Sequence, residues 1–188
     1  MSEGPRMDRY RVVNLSRRAF LQSSGVALVV GLAPVVGLHA AGETQGPDAT
    51  ALGPWIRIDA DDRVTLVCPD CEMGQGVYTG LPLILAEEFD CDFEQVQIEF
   101  STADAAYNNP RKGYIATGGS LAVRGYFDLL RNVGASARAM LVAAAAAEWG
   151  VSADSLRTQS GHVIDDASGR RVAYGALAAR AALLEPPS

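Results

Sequence analysis

Two glycine-bearing stretches hold the residue types that could do chemistry in this chain. The first is Cys71-Glu72-Met73-Gly74-Gln75-Gly76-Val77-Tyr78-Thr79-Gly80, and the second is Thr117-Gly118-Gly119-Ser120. Glycines at the mouth of a helix let backbone N–H groups approach a phosphate, and the positive end of the helix dipole favours the anion. Gln75 asks for something else. A neutral amide with two donors and an acceptor suits a heterocycle edge or an oxo ligand. The first loop spaces its glycines G-x-G-x-x-x-G, one residue longer than the dinucleotide fingerprint, and the strand before it is expected to open a hairpin rather than a βαβ unit. A plain tight turn accounts for these glycines equally well.

The second loop adds charge. It opens a long helix, and Arg124 lies in the first or second turn, where a cation opposes the dipole unless an anion sits between them. Arg111 and Lys112 lie just upstream. Arg124, Arg131 and Arg138 recur every seven residues and therefore share one helix face. A solvated stripe is the plain account of Arg131 and Arg138, whereas Arg124 is open to either role.

Positioning these loops is the task of the elements around them. Trp55 to Ile58 and Arg63 to Val67 alternate about the Asp59-Ala60-Asp61-Asp62 turn, which predicts a hairpin. Thr79 is the expected cap of a helix with Leu81, Ile84, Leu85 and Phe89 at helical spacing and Pro82 in its first turn. Val96 to Phe100 reads as a strand, and Ser101 to Ala116 as an irregular segment. The helix after TGGS runs to Trp149, and Gly150 ends it. Leu156–Gln159 and His162–Asp165 pair about Ser160-Gly161. A short strand follows Gly169, and a last helix spans about Gly175 to Leu184. The order β-β-α-β-α-β-β-β-α predicts an α+β fold, a mixed sheet with packed helices.

Cys68-Pro69-Asp70-Cys71 is a lone C-x-x-C, which can be a redox dithiol or half a zinc site. With no second pair and His162 far along the chain, buried or incidental thiols and no metal site are expected. Three cysteines cannot give a [2Fe–2S] cluster its four thiolates. Residues 41–188 hold 11 basic and 20 acidic side chains, net −9, which argues against general nucleic-acid binding. Residues 16–21, SRRAFL, with the weakly apolar run 25–38 behind them, resemble a twin-arginine export signal. Gln22 departs from the usual Lys. Gly31 and Pro34 break the apolar run, which is short for a spanning helix. Leu38-His39-Ala40 is a poor cleavage site, so a retained N-terminal membrane tether is the alternative to a cleaved signal. The chain thus divides into a signal at 1–40, a linker at 41–53 and one incomplete domain at 54–188. Export of a folded, cofactor-loaded protein to the periplasm is what the signal's resemblance implies.

EMGQG followed by a helix, with TGGS opening a long helix about forty residues later, resembles the molybdopterin-binding subunit of the xanthine dehydrogenase/aldehyde oxidase family. The similarity lies on the exported branch typified by isoquinoline 1-oxidoreductase beta subunits. It covers about residues 54–184, including Asp104-Ala105-Ala106-Tyr107-Asn108-Asn109-Pro110. The resemblance implies that Gly74, Gln75 and Gly76 touch the molybdopterin, in its cytosine dinucleotide form. Gly119, Ser120, Leu121 and Ala122 would hold its pterin and phosphates, with Arg124 beside them. It further implies oxidation of aldehydes or N-heterocycles with water as oxygen source. Electrons would leave molybdenum through a [2Fe–2S] iron–sulfur small subunit, with a cytochrome as a further acceptor. The family's molybdenum subunits run to several hundred residues, with the catalytic glutamate far toward the C-terminus. This chain is therefore expected to be silent alone and completed by a remainder of the subunit. Glu72 belongs to the loop motif and is not that base, so no catalytic residue is assigned. Two other readings stay open: a non-catalytic exported binding or assembly remnant of the same scaffold, and a dinucleotide-dependent oxidoreductase, which the glycine spacing disfavours.

Overall fold

The computed structural model describes residues 50–187. The expected export signal, apolar run and cleavage site lie outside the described residues. Strand β1 (Thr50–Ala51) comes from the stretch expected to be linker and pairs antiparallel with β2 (Ile56–Ile58). The alternating residues after the aspartate turn form β3 (Val64–Cys68), antiparallel to β2 with Ile56 opposite Leu66 and Ile58 opposite Val64. Asp62 closes that turn at φ 65, a left-handed position that aspartate tolerates better than most residues.

Every residue of β3 is buried. The chain leaves it through the CEMGQG loop, forms α1 (Val77–Phe89), and returns as β4 (Gln97–Phe100), parallel to β3 with Cys68 opposite Phe100. The strand before the loop therefore closes the β2–β3 hairpin and opens a βαβ unit, contrary to the sequence expectation. A central strand has two edges, and local alternation speaks only for the neighbour joined by a short turn. The sheet order is β1-β2-β3-β4, mixed in direction. Helix α1 starts two residues before Thr79, the expected cap, with Gly76 at its N-cap position. Leu81, Leu85 and Phe89 are fully buried from one face of it, each contributing about 1.5–3 kcal/mol of burial.

Helix α2 (Ala122–Trp149) buries Tyr126, Leu130, Ala137, Leu141 and Ala145 at steps of four and seven. Gly150 ends it at φ 67, its N–H donating to the Ala146 carbonyl. Where α2 crosses α1, Gly134 is the contact: a Cβ there would stand 2.5 Å from the Leu85 carbonyl oxygen and 3.0 Å from the Phe89 nitrogen. The remaining strands form a sheet of their own rather than extending the first. These are β5 (Arg157–Gln159), β6 (His162–Asp165) and β7 (Arg170–Ala173), all antiparallel. Helix α3 (Tyr174–Ala181) follows, ending three residues earlier than expected. This unit is tied to the end of α1, where the Phe89 carbonyl accepts from the Tyr174 hydroxyl (3.0 Å) and the Asp90 carbonyl from Gly161 N–H (2.7 Å). Among the described residues, no helix is long and apolar enough to cross a membrane.

Candidate functional site

The CEMGQG loop lies at the carboxyl end of a parallel strand and the start of a helix, the position where open α/β sheets bind ligands. Gly74 and Gly76 take φ 92 and 84, which lets the chain turn back above α1. Its amides are not free, however. The Glu72 carboxylate accepts from Gly74 N–H (2.6 Å), Gly76 N–H (3.0 Å) and Tyr78 N–H (3.0 Å). Those donors, Tyr78 foremost and then Gly76, hold the Glu72 carboxyl below its ordinary range. The expectation that this helix start offers its N–H groups to an anion is thus corrected: a side chain of the loop already fills that place. Gln75 is also partly engaged. Its Oε1 accepts from Met73 N–H (2.5 Å) and its Nε2 donates to the Cys71 carbonyl (2.8 Å), which uses one of the two amide hydrogens.

The second loop differs. Gly118, Gly119 and Ser120 take φ 144, 67 and 53 in succession, a tight reversal that glycine makes cheaply. Leu121 stands at the N-cap of α2 with no side-chain cap bond, and the first turn holds no acid. The first N–H groups of the helix are therefore open, and exposed Arg124 lies among them. The residues just upstream brace this loop. Buried Asn109 donates from Nδ2 to the Leu121 carbonyl (2.9 Å). Lys112 Nζ donates to the carbonyls of Ala116 (2.7 Å) and Gly118 (2.9 Å), on either side of Thr117. Arg111 Nε donates to the Arg124 carbonyl (2.9 Å). Arg111 and Lys112 thus have a structural job that the sequence did not reveal, while Arg111 keeps its terminal guanidinium donors and Lys112 one ammonium N–H. Of the other arginines in the stripe, Arg131 is paired with Glu88.

The two loops meet at their bases. Cys71 N–H donates to the Thr117 hydroxyl oxygen at 3.0 Å, and both engage the Asp70 carboxylate. Gly74, Gln75 and Gly76 follow Cys71 in the chain on one side of this junction. Gly119, Ser120, Leu121, Ala122 and Arg124 follow from the other. Beside it opens a cavity of about 290 Å³ between Pro69–Cys71, Phe100–Ala103 and Ile115. Of the three thiols, Cys68 is buried and donates to the carbonyls of Asp70 and Val77, Cys71 is exposed, and burial pushes Cys91 up to about 12. Among the described residues, the first turn of α2 holds no acid, and it carries Arg124. A neutral heterocycle would find the remaining Gln75 amide. A group with both chemistries fits this pair of loops.

The profile of the molybdopterin cofactor-binding domain matches residues 8–188. The chain belongs to that family. Over 176 residues it is 43% identical to "Isoquinoline 1-oxidoreductase subunit beta" of Brevundimonas diminuta, covering 89% of this chain and 22% of that one. It is 29% identical over 188 residues to "Membrane-bound aldehyde dehydrogenase [pyrroloquinoline-quinone]" of Gluconacetobacter polyoxogenes, covering 93% of this chain and 23% of that one. The chain therefore spans less than a quarter of these curated relatives. The crystal structure of a Cu,Mo-CO dehydrogenase aligns with a TM-score of 0.52 at 18% identity, over 69% of this chain and 18% of that chain, which shows a shared fold. As a molybdopterin-binding domain, the chain has molybdopterin as its cofactor class.

Proposed function

We propose that this chain supplies two cofactor-contacting loops of a larger, exported molybdenum hydroxylase. Its substrates would be aldehydes or N-heterocycles, and water its oxygen source. The observation that carries this reading is the junction of Cys71 with Thr117, which sets a loop with a neutral amide beside an open, cationic helix start. Gly74, Gln75 and Gly76 touch the molybdopterin, and Gly119, Ser120, Leu121 and Ala122 hold its pterin and phosphates, with Arg124 beside them. Phosphates in that place suit the cytosine dinucleotide form. Once bound, the cofactor supplies a molybdenum centre that accepts two electrons. The substrate class is drawn from the names of the two relatives. The quinone in the second name is not carried over, because the matched family is a molybdopterin one. An iron–sulfur small subunit, the remainder of the molybdenum subunit and a cytochrome acceptor are the proposed partners. Export to the periplasm rests on SRRAFL at residues 16–21. No residue of this chain is assigned as the catalytic base.

Reconstitution tests the reading. Expressed in a host that makes the cofactor, the chain together with the remainder of its subunit and an iron–sulfur partner should contain molybdenum and pterin. It should oxidise an aldehyde or N-heterocycle, while the chain alone turns nothing over. Turnover by the chain alone, or an active assembly without molybdenum, would overturn it.

A dinucleotide-dependent oxidoreductase gains the βαβ unit but loses the phosphate site, since Glu72 occupies the amides a pyrophosphate would need.

A further inference from the structure

Asp70 is a buried acid, 2% exposed, placed between the two loops. Its Oδ1 accepts from Cys71 N–H (3.1 Å) and from the Thr117 hydroxyl, whose own oxygen accepts from the same Cys71 N–H (3.0 Å). Three groups from two distant segments thus close one small ring of hydrogen bonds. Asp70 Oδ2 is equally buried and has no partner among the described residues. A buried carboxylate oxygen without a donor opposes folding, so stability alone does not account for this acid at this place. Its neighbours are the informative part. Cys71 begins the CEMGQG loop. Thr117 begins the second loop, and Lys112 grips the backbone on both sides of it. Each loop is fixed internally, by Glu72 and Gln75 on one side and by Asn109 and Lys112 on the other. Direct polar contact between the loops runs through Asp70, Cys71 and Thr117.

We propose that Asp70 and Thr117 are positioning residues that couple the two glycine loops and set the gap between them. Granted the cofactor reading above, this gap is what a molybdopterin must fit. The clamp works through accepted hydrogen bonds, so an uncharged oxygen at position 70 serves as well as a carboxylate.

Hydrogen exchange on the full chain without cofactor reads the clamp directly. Asp70→Ala and Thr117→Val should each speed exchange of the Cys71 amide about tenfold, the scale of one hydrogen bond to a charged group. Asp70→Asn and Thr117→Ser should leave it near the parent rate. The double variant Asp70→Ala/Thr117→Val, which removes both acceptors of that amide, should exchange faster than either single but by less than the product of the two effects, as expected of residues acting as one unit. Pterin and molybdenum content, measured after expression with cofactor supply, should follow the same ranking. If Asp70→Ala fails to fold, Thr117→Val and Thr117→Ser carry the comparison. Unchanged Cys71 exchange in the disrupting variants, multiplied effects in the double variant, or an Asp70→Asn chain as loose as Asp70→Ala would each overturn the proposal. Parent chain that takes up no pterin even within the reconstituted assembly, yet shows the full exchange pattern, would support the clamp and sink the cofactor reading instead.

Discussion

At the start of α1, Glu72 takes the N–H groups of Gly74, Gly76 and Tyr78. At the start of α2 no side chain caps the helix, and Arg124 stands where an acid would be favoured. Both helices are entered through left-handed glycines, so the backbone geometry is similar and the electrostatics opposite. The first entrance is electrically closed and presents a side-chain amide. The second is open and cationic. Glycine spacing tells where a backbone can come close to a ligand, and the neighbouring charges tell which ligand is welcome there.

The largest expected effect comes from spoiling the open entrance. Gly119→Val places a β-branched residue at φ 67, where even an ordinary L-residue costs about 1–2 kcal/mol. Cofactor content should fall by more than tenfold, the scale of that cost, with far-UV dichroism of the helices unchanged. A fully loaded variant would remove the second loop from the site. Arg124→Gln should divide the two states of the protein. The chain without cofactor gains slightly in thermal midpoint, because a cation at the positive end of a helix is relieved, while cofactor content drops several-fold. A loss in both would make Arg124 a plain structural residue.

The closed entrance is tested by pH. The Glu72 carboxyl is depressed by the amides it caps, so its stabilisation is present above the ordinary glutamate value of 4.5 and is lost as pH falls through the lower value of the folded chain. The amide resonances of Gly74, Gly76 and Tyr78 should shift together with a midpoint below 4.5. A midpoint at or above it would show that the cap does not hold in solution. The smallest effect is expected from Gln75→Ala, which removes two local hydrogen bonds. Cofactor content should weaken modestly and the thermal midpoint stay nearly unchanged, in keeping with about 1 kcal/mol for a net hydrogen bond at an exposed site.

Much of the fold was legible because it is written locally. The β2–β3 hairpin, the buried face of α1, the Gly150 stop and the Ser160-Gly161 turn all follow from periodicity or from a single residue's backbone preference. The parallel pairing of β3 with β4 was not legible, since nothing near Val64–Cys68 encodes a partner about thirty residues away. The split into two sheets escaped for the same reason. Near the candidate site, both glycine turns and the helices behind them were readable. Glu72 as a cap was not, because it acts from outside the helix across a turn whose shape the glycines set. Asn109, Lys112 and Asp70 escaped as well. Each acts on a backbone or hydroxyl group that only the folded chain brings near.

Gly134 carries a mechanical consequence. Helices α1 and α2 start at the two loops and touch where Gly134 meets Leu85 and Phe89. Position 134 lies 12 residues beyond the first residue of α2, about 18 Å along its axis at 1.5 Å per residue, and Leu85 lies about 12 Å along α1. The two helices are therefore held at their closest approach by a residue without a side chain. A single methyl group at position 134 would collide with the Leu85 carbonyl oxygen and the Phe89 nitrogen and force the helices apart. The spacing of the two helix axes is thus set in the core by the absence of a side chain at position 134.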